Sequence, residues 1–344
     1  MPALDVFTQD AFSLIGLTAS IDKAPFKPRL VGSMKIFSDS PQYTKRIFVE
    51  EREGKLSILP TAPRGTVNAV RSQPNRRGRD FTIPHVPYFR EILADDVLGV
   101  RAFGSESELE AVGKYVNDEL MAMKDDHEVT HEFHRVNAIK GILLDADNST
   151  VIYNYFTQFN VVQQTVDWFS SDADFAPTVS AVIRAIANAL GNEVYGQIVA
   201  LCGNDYFDAV IRHSSVKTDY ERWMNGEMLR TSHLGPEWYT LATNGLMYHN
   251  VLFINYRGTI GDVTFIPDDE AYYLPTGVSG MFIDALAPAD FVETVNTKGK
   301  RYYAKQELLD FGKGVMLHTQ SNVLSLCTRP RAVIKSTWAE EEGT

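Results

Sequence analysis

Residues 60–86 read PTAPRGTVNAVRSQPNRRGRDFTIPHV, a stretch rich in proline, glycine and arginine between two segments of extended character. Proline and glycine at this density interrupt helices and strands, so the sequence predicts a long protruding loop. A loop of this length without structure of its own is uncommon inside a compact domain, and such loops usually carry a function or lie on another molecule. The rest of the chain is therefore interpreted around this loop.

The loop is basic in a chain that is otherwise acidic. No acidic residue occurs before Asp80 among its arginines, which are Arg64, Arg71, Arg76, Arg77 and Arg79. The whole chain has 33 Lys and Arg against 44 Asp and Glu, a formal net charge of −11. A local excess of positive charge favours an anionic partner.

Three interpretations of the arginines stay open from the residues alone. Nucleic acid is one partner, but neither a recognition helix nor an aromatic platform accompanies the loop. An acidic patch on a second copy of the chain is another, because guanidinium groups pair with carboxylates in a forked geometry. The third is a solvated loop without a partner.

The segments before the loop predict an arm and a pair of strands. Three prolines break the short apolar runs of residues 1–42, which we interpret as an extended arm. Residues 46–59, RIFVEEREGKLSIL, alternate as strands do, and Glu53-Gly54 is the expected turn between them.

A long helix is predicted after the loop, over residues 105–140. Ser105 is followed three residues later by Glu108, a capping pattern, and Gly141 is the expected end. One apolar stripe runs along the helix, made by Leu109, Val112, Val116, Leu120 and Met123. At 1.5 Å per residue the helix is roughly 50 Å long.

Helices and strands alternate in the remaining sequence. A hairpin is expected over 141–156 with its turn at 147–149, then a helix over 177–190 and a strand over 194–202. A further helix starts at Asn204, and later strands follow in residues 250–336. This mixture predicts an α+β protein.

Residues 127–131, HEVTH, match the H-E-x-x-H motif of zinc peptidases. In that motif two histidines one helical turn apart bind the metal, and the glutamate, here Glu128, activates the bound water. His127, His131 and also His134 would share one face of the helix. The alternative function is therefore a zinc metallopeptidase.

The context of the motif disfavours zinc. The extended form of the motif fails, because His134 stands at its glycine position and Asn137 at its last histidine position. Asp126 and Glu132 add charge where a catalytic zinc helix is buried. We expect these histidines to be solvated or at a subunit boundary, with no catalytic residue, no cofactor and no metal.

Composition excludes several classes of protein. Hydrophobic residues make up 44% and charged residues 22% of the 344-residue chain, as in globular proteins. Cys202 and Cys327 are too few for a disulfide framework, which fits a reducing compartment, and we expect both to be small core hydrophobes. With neither a secretory signal nor a run of about 18 apolar residues, the chain is expected in the cytoplasm rather than in a membrane.

The order of these features resembles one family, the lambda-type capsid protein E family of tailed-bacteriophage major capsid proteins. The resemblance begins in residues 60–104, with the P-R-G, arginine-rich and F-x-x-P-H features in sequence. It continues in the segments 138–161, 206–223, 250–277, 287–306 and 320–334.

The resemblance implies the tailed-phage major capsid protein fold. Its parts would be an N-terminal arm (1–42), an E-loop (43–92), a peripheral domain (93–165) with a spine helix (105–140), an axial domain (166–285) and a return to the peripheral domain with a final strand and an acidic tail (286–344). The arginines become the E-loop tip in contact with neighbouring subunits. The histidine motif falls on the spine helix, where the family has no catalytic site.

The resemblance also implies the function and the partners. Copies of the chain would form hexamers and pentamers that tile an icosahedral shell around packaged double-stranded DNA, without enzymatic activity. Further partners would be scaffold, portal and cement or decoration proteins, with DNA contacted non-specifically. The protein would reside in the virion after assembly in the host cytoplasm.

Overall fold

The computed structural model describes residues 30–52, 76–97, 108–169, 174–191, 193–217, 245–260 and 263–339. The helices in these ranges are α1 Leu30–Ser33, α2 Ala94–Val97, α3 Glu108–Lys140, α4 Tyr155–Phe159, α5 Ala176–Leu190 and α6 Asn204–Arg212. Short 3-10 turns cover Val292–Thr294, Asp310–Gly312 and Pro330–Ala332.

The strands in chain order are β1 Ser38–Pro41, β2 Arg46–Arg52, β3 Arg76–Thr82, β4 Val86–Leu93, β5 Ile142–Leu144, β6 Val151–Asn154, β7 Gln164–Thr165, β8 Trp168–Phe169, β9 Ile198–Cys202, β10 Gly245–Tyr248, β11 Val251–Asn255, β12 Thr259–Ile260, β13 Val263–Thr264, β14 Glu270–Pro275, β15 Phe282–Leu286, β16 Tyr303–Leu308, β17 Gly314–Ser321, β18 Val323–Cys327 and β19 Ile334–Ala339. Helices and sheets mix along the chain, as predicted for an α+β protein.

The largest sheet has seven strands in the order β10-β11-β9-β14-β19-β7, with β8 also paired to β19. Every residue of β9, at its centre, is buried. Amphipathic α5 buries Val179, Val182 and Ile186 in the same core. The last strand in the described part of the chain, β19, returns to this sheet and pairs with β14.

The long helix α3 passes two smaller sheets. Val116, Leu120 and Met123 in its first half form a separate apolar cluster with the sheet β16-β17-β4. Its second half packs against β18, in the sheet β1-β15-β18. Residues 131–139 are buried on every side of the helix, so burial in the second half is not confined to one stripe.

The end of the predicted arm belongs to the folded body. Strand β1 pairs in parallel with β15, and Gln42 donates its backbone N–H to Leu286 O at 2.8 Å. Residues 30–42 are thus packed against the body, which corrects the interpretation of 1–42 as one extended arm; residues 1–29 lie outside the described ranges. The apolar contacts of Val31 and Met34 with the main core explain the difference.

The predicted turn at Glu53-Gly54 and the strand expected after it lie outside the described residues, and the structure describes a different partner for β2. This strand pairs antiparallel with β3, from Arg46 opposite Thr82 to Arg52 opposite Arg76, so the two strands are joined by residues 53–75. Strand β4 instead pairs with β17, and the described hairpin is therefore shorter than the predicted 43–92.

Local turn chemistry and burial agree with the sequence elsewhere. The hairpin β5–β6 turns at Asp147, whose carboxylate accepts the backbone N–H of Ser149 and of Thr150, and Asn148 takes a left-handed φ of 53°. Cys202 and Cys327 are unpaired and fully buried, as expected, and burial raises the pKa of Cys327 to about 12. Within the described ranges no helix is long and apolar enough to cross a bilayer.

Candidate functional site

The hairpin β2–β3 carries the described end of the arginine-rich stretch, and its base is anchored to the body. Phe81 is fully buried with its ring 5.4 Å from that of Tyr153 and 5.8 Å from that of Phe159. The Tyr153 hydroxyl accepts the backbone N–H of Thr82 at 2.8 Å and donates to Thr82 O at 3.0 Å. Aromatic packing and two hydrogen bonds therefore fix the point where the hairpin leaves the body.

The side chain of Arg79 contacts a residue of its own subunit. Its guanidinium carbon lies 4.8 Å from the centre of the Phe159 ring, in cation–π geometry. Arg79 and Phe81 lie on one face of β3 because side chains alternate along a strand. The backbone of Arg76 and Arg77 lies in β3, whereas their side chains, and Arg64 and Arg71 entirely, lie outside what the structure describes.

On the other face of β3, Asp80 forms an ion pair with Arg46, Nη1 to Oδ2 3.0 Å. Both side chains are about half exposed, so this pair contributes little to stability. Phe48 on β2 is 67% exposed. Beyond its anchored base, the hairpin thus presents an apolar ring and a charged pair to its surroundings.

The three histidines of α3 are buried, which corrects the expectation that they are solvated or at a subunit boundary. His127, His131 and His134 are only 2–3% exposed. His127 Nε2 lies 3.1 Å from Thr319 Oγ1, and His131 Nε2 lies 2.8 Å from Ser321 Oγ. The sheet β16-β17-β4, which packs on α3, supplies these hydroxyl partners through β17.

Burial keeps the histidines neutral. Desolvation lowers the pKa of His127 to about 4 and that of His134 to about 4, and it holds the pKa of His131 well below its ordinary value. The ring of His131 also stacks on Tyr302, with centroids 5.7 Å apart. His127 and His131 act as polar core residues that bind α3 to β17.

The glutamates of the motif region also have structural surroundings. Glu132 accepts the backbone N–H of Val31 at 2.8 Å and of Gly32 at 2.9 Å, and the Tyr256 hydroxyl donates to it at 3.1 Å. Glu128 is buried, and desolvation raises its pKa. Among the residues described, no three His, Cys, Asp or Glu side chains form a group that could hold a metal.

A charged network that the sequence did not reveal lies beside the histidines. Asp284 is fully buried and accepts Arg135 Nη2 at 2.8 Å, Arg301 Nη2 at 2.9 Å and Ser325 Oγ at 2.8 Å. Although burial alone would raise the pKa of Asp284, the two guanidinium groups bring it below its ordinary value. Arg301 also pairs with Asp39, which follows α1.

A cavity of about 290 Å³ with several charged side chains in its lining adjoins this network. The long helix contributes Lys124, Glu128 and Arg135 to its lining, and the segment after α1 contributes Lys35 and Asp39. The signal of the network in the sequence is an aspartate inside an otherwise apolar segment, Asp284 in β15. Such a buried charge needs partners, but the sequence does not name them.

Comparison with known proteins decides among the remaining interpretations. The family model described as Phage major capsid protein E matches residues 13–338. The chain belongs to the phage major capsid protein E family. Neither this match nor the described geometry supports the zinc peptidase or the nucleic-acid alternative.

Curated relatives of this family member are similar along their whole length. The major capsid protein of Pseudomonas phage KPP10 is 24% identical over 345 residues, covering 95% of this chain and 97% of that protein. The major capsid protein of Salmonella phage Felix O1 (isolate Felix O1-VT1) is 23% identical over 355 residues, covering 94% and 95%.

Solved structures show the same fold at low sequence identity. A crystal structure described as a prophage capsid protein from E. coli CFT073 has a TM-score of 0.58 at 14% identity, covering 95% of this chain and 99% of that one. The capsid of Cyanophage P-SCSP1u has a TM-score of 0.50 at 9% identity, covering 92% and 90%. The predicted fold class, the tailed-phage capsid fold, is confirmed.

Proposed function

We propose that this major capsid protein assembles into hexamers and pentamers that form an icosahedral shell around packaged double-stranded DNA. The observation that carries the proposal is the family match from residue 13 to residue 338, which spans nearly the whole chain. The protein acts by binding copies of itself, and no bond needs to be made or broken. Its place is the capsid of the virion, after assembly in the host cytoplasm.

The parts of the fold receive roles under this proposal. The arm precedes α1, and the hairpin β2–β3 with residues 53–75 is the E-loop. The peripheral domain comprises α3 as the spine helix with the sheet β16-β17-β4, and the seven-stranded sheet forms the axial domain. Strand β19 is part of this sheet because it pairs with β14, although it lies in the segment 286–344 that was expected to return to the peripheral domain. Support comes from the hairpin, whose two strands pair only with each other among the described strands.

Arginines of the E-loop contribute contacts between subunits in this proposal. Arg64, Arg71, Arg76 and Arg77 lie on the loop beyond its anchored base, whereas Arg79 serves the base itself. A single exposed ion pair contributes about 0–1 kcal/mol, so no arginine alone can hold a shell together. Many weak contacts made at once give a stable shell, because each later contact is effectively intramolecular.

Further partners follow from the same role. Scaffold, portal and cement or decoration proteins are the expected protein partners, and DNA is contacted without sequence preference. A net charge of −11 argues against a surface that grips phosphate over its whole extent. The shell therefore encloses the DNA rather than condensing it.

Charge reversal on the loop tests the role of the arginines. The double variant Arg76→Glu/Arg77→Glu should remain folded but fail to assemble, or assemble only at altered salt, because only contacts between subunits are lost. The matched control is Arg184→Glu/Arg331→Glu, which changes the net charge equally and should assemble. Normal assembly of the loop variant across salt concentrations would overturn the role given to these arginines.

A further inference from the structure

The cavity beside the Asp284 network is lined by three separate parts of the chain. Residues 31–39 contribute one part of the lining, and Arg301 with Tyr302 contributes another. The third part is helix α3, on which Lys124, Glu128 and Arg135 share one face because they are one, two and three turns along it. The volume of about 290 Å³ is close to the lower limit of small-molecule sites, about 300 Å³. A ligand of this cavity would therefore be small.

Positive charge prevails in the cavity, in contrast to the acidic chain as a whole. Four cationic side chains contribute to the lining, which are Lys35, Lys124, Arg135 and Arg301. The carboxylates around them are Asp39 and Glu128 in the lining and Asp284, buried against the two arginines. Among these groups the positive charges exceed the negative ones by one. Burial also raises the pKa of Glu128, so its ionised form is costly here, and an anion suits the cavity better than a cation.

The hydroxyl of Tyr302 is a buried donor without a partner. The residue is 4% exposed, and its hydroxyl has no hydrogen-bond partner in the described part of the chain. The ring is held in place, since His131 stacks on it at 5.7 Å and Lys124 Nζ lies 5.3 Å from its centre. Because buried polar groups are nearly always paired in native proteins, an unpaired one at a cavity indicates a missing ligand.

One side of the Arg301 guanidinium group is also unused. Its Nη2 pairs with Asp39 and Asp284, and the carbonyl oxygen of Arg301 accepts Ser321 Oγ at 2.6 Å. Its Nη1 is buried and has no hydrogen-bond partner among the described residues, although it carries two N–H groups. Two consecutive residues of one cavity lining thus each hold a donor in reserve.

We propose that this cavity binds a phosphate group. Arg301 Nη1 and the Tyr302 hydroxyl donate hydrogen bonds to its oxygens, and Lys35 and Lys124 add positive charge. Phosphate fits better than a carboxylate, because its oxygens point in several directions and can accept donors from all three parts of the lining at once. Binding needs only the single subunit and is independent of the function proposed above.

A bound phosphate group would join the N-terminal part of the described chain to the long helix. Lys35 lies in the segment between α1 and β1, whereas Lys124 lies on α3. A ligand that contacts both segments binds the folded subunit and not the unfolded chain, so it stabilises the fold in proportion to its occupancy. Stability in the presence of phosphate is therefore a readout of the site.

Calorimetric titration of the dilute full-length chain with inorganic phosphate tests the site. Chloride holds the ionic strength constant, so that general screening by salt is the same in every sample. The wild type should give a saturable isotherm, and its thermal unfolding midpoint should rise by about 2–4 °C in saturating phosphate. Thymidine monophosphate is the second probe: tighter binding than that of inorganic phosphate assigns the site to a phosphate ester, and equal or weaker binding assigns it to the free ion.

Two variants locate the binding in the cavity. Tyr302→Phe removes only the hydroxyl and should weaken phosphate binding about tenfold, as expected for one hydrogen bond to a charged group. Its unfolding in chloride should be unchanged, because the hydroxyl has no partner to lose. Lys124→Met removes a charge from the lining and should weaken binding by a similar factor. The matched controls are Tyr43→Phe and Lys298→Met, at exposed positions outside the lining, which should bind like the wild type.

Three results would overturn the phosphate site. The first is a wild-type titration without saturation, or a midpoint that rises no more in phosphate than in chloride. The second is phosphate binding that both Tyr302→Phe and Lys124→Met leave unchanged, which would place the anion elsewhere on the subunit. The third is an equal loss of binding in the two control variants.

Discussion

Glu132 accepts the backbone N–H of Val31 at 2.8 Å, although the two residues are 101 positions apart in the chain. The same carboxylate accepts the N–H of Gly32 and the hydroxyl of Tyr256. Burial raises the pKa of Glu132, and these hydrogen bonds lower it part of the way back. A buried acid of the long helix thus holds the segment where the N-terminal residues join the body.

Removing the carboxylate of Glu132 should weaken the attachment of Val31 and Gly32 to the long helix. We expect Glu132→Ala to lower the free energy of unfolding by about 2 kcal/mol, because the buried N–H of Val31 and the half-buried N–H of Gly32 lose their acceptor. Glu132→Gln keeps one acceptor oxygen and should cost less. Urea unfolding of both variants is the measurement, with Asp118→Asn as an exposed control on the same helix. Equal stability of Glu132→Ala and wild type would show that the carboxylate anchors nothing.

Removing the charge of Asp284 should lower the free energy of unfolding more than removing the carboxylate of Glu132 does. Asp284→Asn leaves the guanidinium groups of Arg135 and Arg301 buried without their shared counter-charge, so we expect a loss of about 3–5 kcal/mol. Ser325→Ala removes one neutral donor to the same carboxylate and should cost about 1 kcal/mol. Denaturant unfolding compares the two. A loss no larger in Asp284→Asn than in Ser325→Ala would contradict a charged core here.

Acid should weaken the fold through the buried histidines. His127 has a pKa of about 4 in the folded chain against an ordinary value of 6.5, so between these values the unfolded chain binds the proton and the folded chain does not. The contribution of His127 is therefore complete above pH 6.5 and is lost as the pH falls towards 4. Over this range the contribution of His127 to the free energy of unfolding falls by about 1 kcal/mol for each pH unit.

The test compares how steeply the free energy of unfolding changes with pH, rather than its absolute value. Glu128 and Glu132 have raised pKa values, and their contributions change with pH in the opposite sense. His127→Gln keeps a polar partner for Thr319 and removes the titration, so its free energy of unfolding should fall less steeply than that of the wild type between pH 6.5 and 4.5. Identical slopes would mean that His127 titrates normally.

Replacing Arg79 and replacing Arg76 should have different effects on the stability of the isolated subunit. Arg79→Ala should lower subunit stability by about 1 kcal/mol, because it removes the contact with the Phe159 ring. Arg76→Ala should leave unfolding unchanged if its role is between subunits. Thermal unfolding of dilute, unassembled protein measures both, and an unaltered midpoint in Arg79→Ala would remove the anchoring role from that side chain.

Local signals in the sequence predicted the longer helices well, although Tyr155–Phe159, expected in part as a strand, is helical. Pro177 and Gly191 bracket α5 because proline suits a first helical turn and glycine suits the residue after the last one. The turn of β5–β6 followed from Asp147 and Asn148 for a similar reason, since their side chains and backbone favour that conformation without distant contacts. Each of these features is decided within a few residues.

The sequence did not predict which strands pair with each other over long distances along the chain. The partner of β2 is β3, across residues 53–75, and the partner of β1 is β15, more than two hundred residues away. The burial of His131 likewise depends on Ser321 and Tyr302 from distant strands. Nothing in the local pattern distinguishes a buried histidine with a hydroxyl partner from an exposed one, and the expected solvation of these side chains was wrong for that reason.

Electron microscopy of the purified wild-type chain at high concentration, combined with sedimentation velocity, tests the central claim most directly. The protein is predicted to form closed shells or ring-shaped capsomers, with the proportion of assembled material rising with concentration. A single sedimenting species of about 38.6 kDa at every concentration, with no particles on the grid, would contradict the account.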